Sequence, residues 1–402
     1  MGLDKMNVFF DNFLKRQPLF SDKKVLQAVY TPEQIPHRDK QIEEMANILA
    51  PTLRFENPSN LFIYGKTGTG KTLAAKYVTG LMQETANKNN IPLKIFYLNC
   101  KLKKIADTEY RLVAQLSREF KKAIPPTGLP TDEVYRIFYD ALDSQKQIVV
   151  LILDEIDQLA KKAGDEILYN LTRINSELKN SKIAIVGISN DLIFADNLDP
   201  RVKSSLSEEE LLFPPYNALQ LQDILKKRSD QAFQKGVLKP GVIEKCSAYA
   251  AREHGDARRA LELLRVAGEL AEREGNNIVE IKHIDLAEEK IERDRMVDIT
   301  LNQPKQFQTT LYAVILSSTK KKTFFTGEIY EIYKKVCQKT NLRPLTQRRV
   351  SDIIAELDML GIINAKVISK GRYGRTREIS LMITESVLEK IKDILNKSLG
   401  LV

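Results

Sequence analysis

The stretch Gly65–Thr72 reads GKTGTGKT and decides the fold of this chain of 402 residues. It fits the pattern GxxxxGK[ST] in full, follows the apolar run LFIY and opens the helix-like segment KTLAAKYVTGLM. A glycine-rich turn between a strand and a helix lets successive backbone N–H groups converge, and the positive end of the helix points at the same place. This context predicts a loop that binds the phosphates of a nucleotide.

Each residue type in this loop has its own expected role. Lys71 reaches the β- and γ-phosphates, and the hydroxyl of Thr72 is expected to ligand Mg²⁺. The residues expected to wrap the β-phosphate with their backbone are Gly65, Gly68, Thr69 and Gly70. The predicted cofactors are therefore ATP or ADP together with Mg²⁺.

A second acidic motif completes this prediction. The apolar run IVVLIL ends in DEID, which places Asp154 and Glu155 at the carboxyl end of a strand. In a parallel sheet that end lies beside the phosphate loop. Asp154 is expected to hold Mg²⁺ through water, and Glu155 is expected to polarise the attacking water. The acidic pair favours ATP hydrolysis.

The rest of the chain predicts three domains. NLFIYG, KIFYLNC, IVVLILDE and KIAIVGIS are short, β-rich and apolar on both faces, with helical stretches between them. They indicate an α/β domain with a parallel sheet over residues 1–216. The pattern is wholly helical over 217–299, and over 300–402 it predicts three helices followed by a hairpin.

The net charge of +9 is confined to the last of these domains. From Thr300 to the end there are 18 Lys and Arg residues against 9 Asp and Glu residues, so the first 299 residues balance to zero. This asymmetry indicates a polyanion as the partner of the last domain.

The segment PLTQRRVSDIIAELDMLGII predicts a helix that enters a DNA groove. Thr346 is a suitable N-cap, and the apolar residues that follow recur at helical spacing. Arg348 and Arg349 lie at the N-terminal end, which in helix-turn-helix proteins enters the major groove. The preceding segment, TGEIYEIYKKVCQKTN, predicts the supporting helix.

Two strands around SKGRYGRTR predict the wing of a winged helix. Gly371 and Gly374 permit a tight tip. Basic side chains on a narrow tip suit a minor groove or its phosphates. The side chains expected to project from it are those of Lys370, Arg372, Tyr373, Arg375 and Arg377.

Three further motifs resemble those of the AAA+ ATPases. IVGISND is similar to the sensor-1 strand, and the resemblance implies that Asn190 bonds the γ-phosphate or the attacking water. GDARRALELLRVA resembles the sensor-2 helix of the lid domain, which implies that Arg258, and less readily Arg259, reaches the γ-phosphate. LDPRVKSSL lies where this family carries an arginine finger, so Arg201 is a candidate that acts on a neighbouring subunit.

The resemblance also implies contacts to the rest of the nucleotide. IPHRDKQIEEM is similar to the segment that packs on the base, which makes Ile35, His37 and Arg38 candidates. FPPYNALQLQDILKKR resembles the family's linker between its two ATPase lobes. By this resemblance Tyr216 lies beside the nucleotide and Arg228 near its phosphates; hinge packing and a solvated helix face remain the alternatives.

The finer resemblance is to the archaeal origin-recognition and cell-division-cycle-type replication initiators. Two helices, TEYRLVAQLSREFKKA and DEVYRIFYDALDSQ, stand where a minimal ATPase of this kind has one. The extra helix resembles an insertion that touches DNA in that family. The basic residues that would do so, or would simply form a solvated face, are Arg111, Arg118, Lys121 and Lys122.

This resemblance implies a weak ATPase that binds double-stranded origin DNA, works with paralogous subunits and helps to load an MCM-type helicase. We expect a cytoplasmic, nucleoid-associated protein, since no signal-peptide core or membrane span is evident. The three cysteines stand singly and indicate core positions rather than a zinc site. Two alternatives stay open: a clamp-loader-like machine, and a DNA-binding regulator in which the nucleotide is only a structural ligand.

Overall fold

The structure, a computed structural model, describes residues 17–27, 30–32, 34–56, 59–101, 108–125, 127–206, 209–318, 321, 323–369, 375–383 and 385–401. The chain divides into two compact units, Met1–Ile284 and Asp285–Val402. Each unit has buried apolar clusters of its own.

A parallel sheet forms the centre of the first unit. Its five strands are β1 (Leu61–Tyr64), β2 (Leu93–Asn99), β3 (Gln147–Asp154), β4 (Ser181–Ser189) and β5 (Glu209–Leu212). Their spatial order is β2-β3-β4-β1-β5, and every pairing is parallel. All eight residues of β3 are buried. A strand covered on both faces in this way explains why its sequence is a continuous apolar run.

Helices cover both faces of this sheet. Alternate residues of β3 enter two different clusters: Leu151 and Leu153 pack in one, and Val150 and Ile152 in the other. The result is a three-layer α/β unit, which confirms the predicted fold class. Its helices are α1 (Asp39–Leu49), α2 (Lys71–Lys88), α3 (Glu109–Glu119), α4 (Thr131–Leu142), α5 (Ile156–Ala163), α6 (Glu166–Arg173) and α7 (Pro200–Leu206). Short 3-10 turns lie at Lys23–Leu26, Ala50–Arg54, Ile174–Ser176 and Ala195–Asn197.

The strand order fixes where a ligand can bind. β1 lies between β4 and β5, so the connections from β1 and β4 leave in opposite directions. In open α/β sheets the crevice at such a switch point, outside the carboxyl ends of the strands, is the binding site. β1 ends at Tyr64, directly before the phosphate loop, and β3 ends at Asp154.

A helical segment follows the sheet, as the sequence predicts. It contains α8 (Ala218–Ala232), α9 (Val242–Arg252), α10 (Ala257–Glu274) and the start of α11 (Ile281–Asn302). Asn217 caps α8. Its side chain accepts a hydrogen bond from the backbone N–H of Gln220, and the Gln220 side chain accepts one from the backbone N–H of Asn217. The proposed boundary near Thr300 falls within α11, and the domain limits stay a prediction.

The second unit has the winged-helix arrangement. Its elements are α12 (Lys305–Ser318), β6 (Phe324–Phe325), α13 (Thr326–Lys339), α14 (Gln347–Met359), β7 (Ile363–Ser369), β8 (Arg375–Leu381) and α15 (Glu385–Leu399). The strands form an antiparallel sheet in the order β6-β8-β7. Helix α15 follows the hairpin and was not predicted from the sequence. Its residues Ile391 and Leu395 are buried in the core of this unit.

The cysteines confirm their expected position. Cys100, Cys246 and Cys337 are free and buried. Among the helices that the structure describes, none is long and apolar enough to cross a membrane.

Candidate functional site

The lysine of the phosphate loop is held by three oxygen atoms of the chain. Lys71 is buried at the start of α2, and its ammonium donates hydrogen bonds to the carbonyl oxygens of Gly65 and Lys66 at 2.7 Å each. It also donates to Oδ1 of Asn190 at 2.9 Å. Burial lowers the pKa of Lys71 to about 8, although the charge of Asp154 opposes this shift. The ammonium lies at the N-terminus of α2, a position that favours the binding of an anion. The oxygen atoms of a phosphate can replace the three oxygen atoms that now accept its hydrogen bonds.

The carboxylate of Asp154 accepts hydrogen bonds from two hydroxyl groups. Its Oδ2 accepts a hydrogen bond from Thr72 Oγ1 at 2.9 Å and one from the Tyr97 hydroxyl at 2.6 Å. Its Oδ1 accepts the backbone N–H of Glu155 at 3.0 Å. Burial, and then the bond to Asp154, raises the pKa of Tyr97, so the tyrosine stays protonated as a donor. Thr72 and Asp154 thus come together as the sequence predicts.

Glu155 occupies an unusual backbone conformation. Its φ of 57° and ψ of 46° lie in the left-handed region. For a residue with a Cβ this region costs about 1–2 kcal/mol, and such strain clusters at functional sites. Its side chain lines the same cavity as Asp154 and is 21% exposed. The ammonium of Lys101 lies 3.6 Å from its carboxylate.

The helical segment of the first unit docks on the phosphate loop through the start of α10. Asp256 caps that helix by accepting the N–H of Arg258 at 2.7 Å, and its other oxygen accepts the Thr67 hydroxyl at 3.3 Å. The N–H of Ala257 donates to the carbonyl oxygen of Gly68 at 3.2 Å. Gly68 has a φ of +68°, and a Cβ there would lie 1.7 Å from Oδ1 of Asp256. Glycine is therefore required for this contact.

The two arginines of this helix have different positions. Arg258 is exposed and lines the cavity beside Lys71, whose pKa it helps to lower. The Nε of Arg259 instead donates to Glu253 at 3.0 Å. This placement agrees with the sequence preference for Arg258, whose contact with the γ-phosphate stays a prediction.

A cavity of about 940 Å³ joins these groups to Ile35, a candidate for contact with the base, and to Tyr216 and Arg228, which were predicted beside the nucleotide and near its phosphates. Tyr216 lies against the phosphate loop. A Cβ atom at Gly70 would be 2.9 Å from the Tyr216 hydroxyl. The residues that line the cavity include Tyr30, Ile35, Gly68, Thr69, Gly70, Lys71, Thr72, Tyr97, Asn99, Asp154, Glu155, Asn190, Tyr216, Arg228 and Arg258.

His37 and Arg38 are placed differently from Ile35. Arg38 is buried and donates to the carbonyl oxygens of Thr69, at 2.9 Å, and of Pro214, at 2.5 Å. Its guanidinium lies 3.8 Å from the ring centroid of Tyr216. Nε2 of His37 lies 3.1 Å from Oδ2 of Asp223. Both residues are described and neither lines the cavity, so Arg38 braces the loop against the linker, and contact with adenine stays a prediction for both.

Arg228 lines this cavity and has one buried donor without an acceptor among the described residues. Its guanidinium lies 4.5 Å from the ring of Tyr30 and donates to the carbonyl oxygen of Tyr30 at 3.4 Å. The residue is buried, and its other terminal nitrogen has no acceptor among the described residues. A buried N–H without a partner is costly, so an acceptor supplied by a ligand would stabilise it.

Arg201 lies outside the cavity of its own chain. It is 72% exposed and forms an ion pair with Asp199 at 3.1 Å. Its guanidinium lies 5.4 Å from the ring of Tyr169. An exposed arginine of this kind is compatible with action on a second subunit, which stays a prediction.

Helix α3, which carries Arg111 and Arg118, is amphipathic, with Leu112, Val113 and Leu116 buried. Arg111 and Arg118 are exposed, and Arg118 donates to the carbonyl oxygen of Ile124 at 3.2 Å. Lys121 and Lys122, just after the helix, are exposed as well. These side chains are accessible to solvent, and their contact with DNA stays a prediction.

Helix α14 of the second unit, which was predicted to enter a DNA groove, is formed with the predicted cap. The hydroxyl of Thr346 caps α14 by accepting the N–H of Arg349. Val350 and Ile354 are buried, whereas Arg348 and Arg349 are exposed at the N-terminal end. The basic end of the helix is therefore available to solvent.

The wing is described only in part. The candidates Lys370, Arg372 and Tyr373 lie outside the described residues, and of Arg375 only the backbone, at the start of β8, is described. Arg377 differs from the prediction that it projects from the tip. Its guanidinium donates to the carbonyl oxygen of Ser351 in α14 at 2.8 Å, because β8 returns past that helix. Arg377 thus connects β8 to α14.

Sequence reasoning missed several residues of the site. The missed residues are Tyr30, Tyr97, Lys101 and Asp256. Asp256 had a usable signal, since an aspartate directly before a helix is a preferred N-cap. Tyr97 lies in a strand whose apolar pattern gives no sign that its hydroxyl meets Asp154, 57 residues further along.

Three family models cover successive parts of the chain. Residues 54–192 match an AAA domain, residues 222–289 match the Cdc6 AAA+ ATPase-type lid domain, and residues 298–391 match the CDC6 C terminal winged helix domain. These matches follow the order of sheet, helical segment and winged helix in the structure. The chain therefore carries an AAA+ ATPase domain.

Relatives match over almost the full length. The ORC1-type DNA replication protein of Pyrococcus abyssi is 54% identical over 389 residues, which are 96% of this chain and 91% of that protein. The ORC1-type DNA replication protein 1 of Archaeoglobus fulgidus is 53% identical over 385 residues, with 96% and 93% covered. The structure of the Aeropyrum pernix ORC1 protein in complex with DNA has a TM-score of 0.83, 44% identity and coverage of 94% and 97%. At this level of identity, the chain belongs to the ORC1-type DNA replication proteins.

Proposed function

We propose that this chain is an ATP-hydrolysing initiator that binds origin DNA and helps to recruit or load an MCM-type replicative helicase. The observation that carries the proposal is the convergence of Lys71, Thr72, Asp154 and Glu155 on one cavity. The same chain ends in a winged helix that holds all of its net positive charge. Family membership supports the combination, since its members are DNA replication proteins.

The oxygen atoms beside the phosphate loop fit a magnesium ion. Thr72 Oγ1 and Asp154 Oδ2 lie 2.9 Å apart at the cavity. Hydroxyl and carboxylate oxygens, with the phosphates of the nucleotide, are the ligands that Mg²⁺ prefers. We propose that these two residues hold it; when bound, it neutralises charge on the β- and γ-phosphates.

The remaining groups divide the work of hydrolysis. We propose that Glu155 accepts a proton from the attacking water, and that Asn190 and Lys71, which already contact each other, hold the γ-phosphate end. Arg258 adds a positive charge from the helical segment. Because α10 rests on Gly68 and Thr67, a change in the phosphates is transmitted to that segment through direct hydrogen bonds.

DNA binding is proposed for the second unit. Arg348 and Arg349 lie exposed at the N-terminal end of α14, where side chains reach base edges in helix-turn-helix proteins. The Aeropyrum pernix ORC1 protein, 44% identical, is in complex with DNA. The basic tip, with Lys370, Arg372, Tyr373 and Arg375, supplies phosphate or minor-groove contacts, and Arg111 and Arg118 supply a second contact. Such a protein works on the nucleoid, in the cytoplasm.

The clamp-loader alternative fits this arrangement less well. A machine that remodels only a protein ring has no need of a basic winged helix, and the matched lid and winged-helix families are both of the Cdc6 kind. The alternative of a regulator whose nucleotide is only a structural ligand is compatible with weak turnover, so measured hydrolysis alone does not separate it from the proposed function.

Replacement of Lys71 by alanine should weaken ATP binding by about tenfold to a hundredfold. This factor corresponds to the roughly 1.5–3 kcal/mol of a hydrogen bond to a charged group. Binding is measured with a fluorescent ATP analogue. Lys66→Ala is the matched control, because Lys66 is a loop lysine that is exposed rather than buried. Equal losses in both variants would contradict the role given to Lys71.

Replacement of Arg201 by alanine should lower ATPase activity only when subunits assemble. Arg201 is exposed and reaches no atom of its own cavity lining, so ATP affinity should stay at the parental value. Turnover is measured as the protein concentration rises, alone and with a paralogous subunit. Arg173→Ala serves as control, because Arg173 also lies over the ring of Tyr169, at 4.8 Å. Loss of turnover in a strictly monomeric sample would remove the proposed action in trans.

A further inference from the structure

Tyr97 has a hydrogen bond for which the proposed roles of the site give no reason. It lies in β2, where it pairs with Ile152 of β3, and its hydroxyl reaches across to Asp154 at 2.6 Å. We propose that Tyr97 is a positioning residue, which holds the carboxylate of Asp154 in the orientation that binds Mg²⁺. This inference rests on the proposed function, because it assumes that Asp154 serves the metal.

The bonds around Asp154 show why a second donor is needed. One oxygen accepts Thr72 and Tyr97, and the other accepts the backbone N–H of Glu155. Thr72 would bind a metal through an oxygen lone pair and could still donate its hydrogen to Asp154, so that bond would be tied to the position of the metal. The Tyr97 hydroxyl donates to the same carboxylate oxygen from the neighbouring strand and restrains the carboxylate independently of the metal. Carboxylates that ligate metals are commonly fixed by hydrogen bonds of this kind.

The surroundings of Tyr97 keep the hydroxyl in place. The ammonium of Lys76 lies 4.0 Å from the ring centroid, and the ring packs against the buried cluster that contains Val150 and Ile152. The ring is thus held by packing, independently of its hydroxyl. Phenylalanine would keep these contacts and remove only the hydroxyl, together with its hydrogen bonds to Asp154 and to the Asn99 side chain.

The test is Tyr97→Phe in the full-length chain, with Tyr64→Phe as matched control. Tyr64 is the last residue of β1, and its ring stacks on Phe62 at 5.6 Å. Binding of a fluorescent ADP is measured as Mg²⁺ is titrated and again in EDTA, and ATP turnover is measured at each Mg²⁺ concentration. Thermal melting establishes that each variant is folded.

We expect Tyr97→Phe to raise the Mg²⁺ concentration at half-effect about tenfold to a hundredfold, the usual cost of losing a group that orients a metal ligand. Binding in EDTA should match that of the parental protein, and turnover at saturating Mg²⁺ should recover to within a fewfold of it. Tyr64→Phe should titrate like the parental protein.

Two results would overturn the inference alone: an unchanged Mg²⁺ titration in Tyr97→Phe, or an equal loss of nucleotide binding with and without Mg²⁺. The second would make Tyr97 a nucleotide contact or a packing residue. A parental protein whose binding and turnover ignore Mg²⁺ would overturn the metal role of Asp154 as well. Failure of the inference and failure of the proposed function are thus separate outcomes.

Discussion

Replacement of Glu155 by glutamine should lower the rate of ATP hydrolysis by about a hundredfold to ten-thousandfold, the usual contribution of a positioned general base. ATP binding should stay close to the parental value, because the ligands of the phosphates and of Mg²⁺ are other residues. Glutamine tolerates the left-handed backbone of Glu155 as well as glutamate does, so the fold is retained. The amide keeps the shape of the side chain and loses only its basicity.

Single-turnover hydrolysis and equilibrium binding of ATP measure the two effects separately. The matched control is Glu166→Gln, an exposed residue at the start of α6. Hydrolysis at the parental rate in Glu155→Gln would show that the proton goes elsewhere. A loss of ATP binding equal to the loss of hydrolysis would show that Glu155 holds the nucleotide instead.

DNA affinity of the full-length chain should fall by about a thousandfold to a hundred-thousandfold between 50 and 200 mM salt, if 6–10 phosphates are contacted. The reason is that all the net charge of +9 lies in residues 300–402, so binding releases counterions from the DNA. Each phosphate contact adds about 0.9 to the slope of log affinity against log salt. Neutral residues at Arg372 and Arg375 should flatten that slope by roughly one to two units.

A matched pair of substitutions controls for net charge. Lys390→Ser and Lys397→Ser remove two charges from α15, away from the wing sequence. The slope is obtained from fluorescence anisotropy with duplex DNA at several salt concentrations. If the α15 variant flattened the slope as much as the tip variant, the tip would have no contact of its own.

The sequence was sufficient for features that depend on local pattern. The apolar run 148–153 predicts a strand covered on both faces, and all of β3 is buried. Thr346 before an apolar helix predicts a cap, and its hydroxyl accepts the N–H of Arg349. The phosphate loop consists of eight consecutive residues, and its strand–loop–helix context is local as well. These features are set within one element and its neighbour.

Features that depend on distant contacts could not be predicted. No local pattern shows that the guanidinium of Arg38 donates to the carbonyl oxygens of Thr69 and of Pro214, the latter 176 residues further along the chain than Arg38. Arg377 was expected on the tip, yet it binds the backbone of Ser351. The sequence alone does not distinguish a long basic side chain that stabilises the fold from one that binds a ligand. Only the topology decides which acceptor lies within its reach.

The central claim, that this chain recognises origin DNA through its winged helix, is tested most directly by a footprint across chromosomal DNA. With the full-length protein and ATP, we predict protection at a few discrete sites. Arg348→Ala or Arg349→Ala should reduce the preference for those sites by about 1–3 kcal/mol for each lost base contact, while non-specific affinity changes little. Even protection along the chromosome, or sites that survive both substitutions unchanged, would contradict the account.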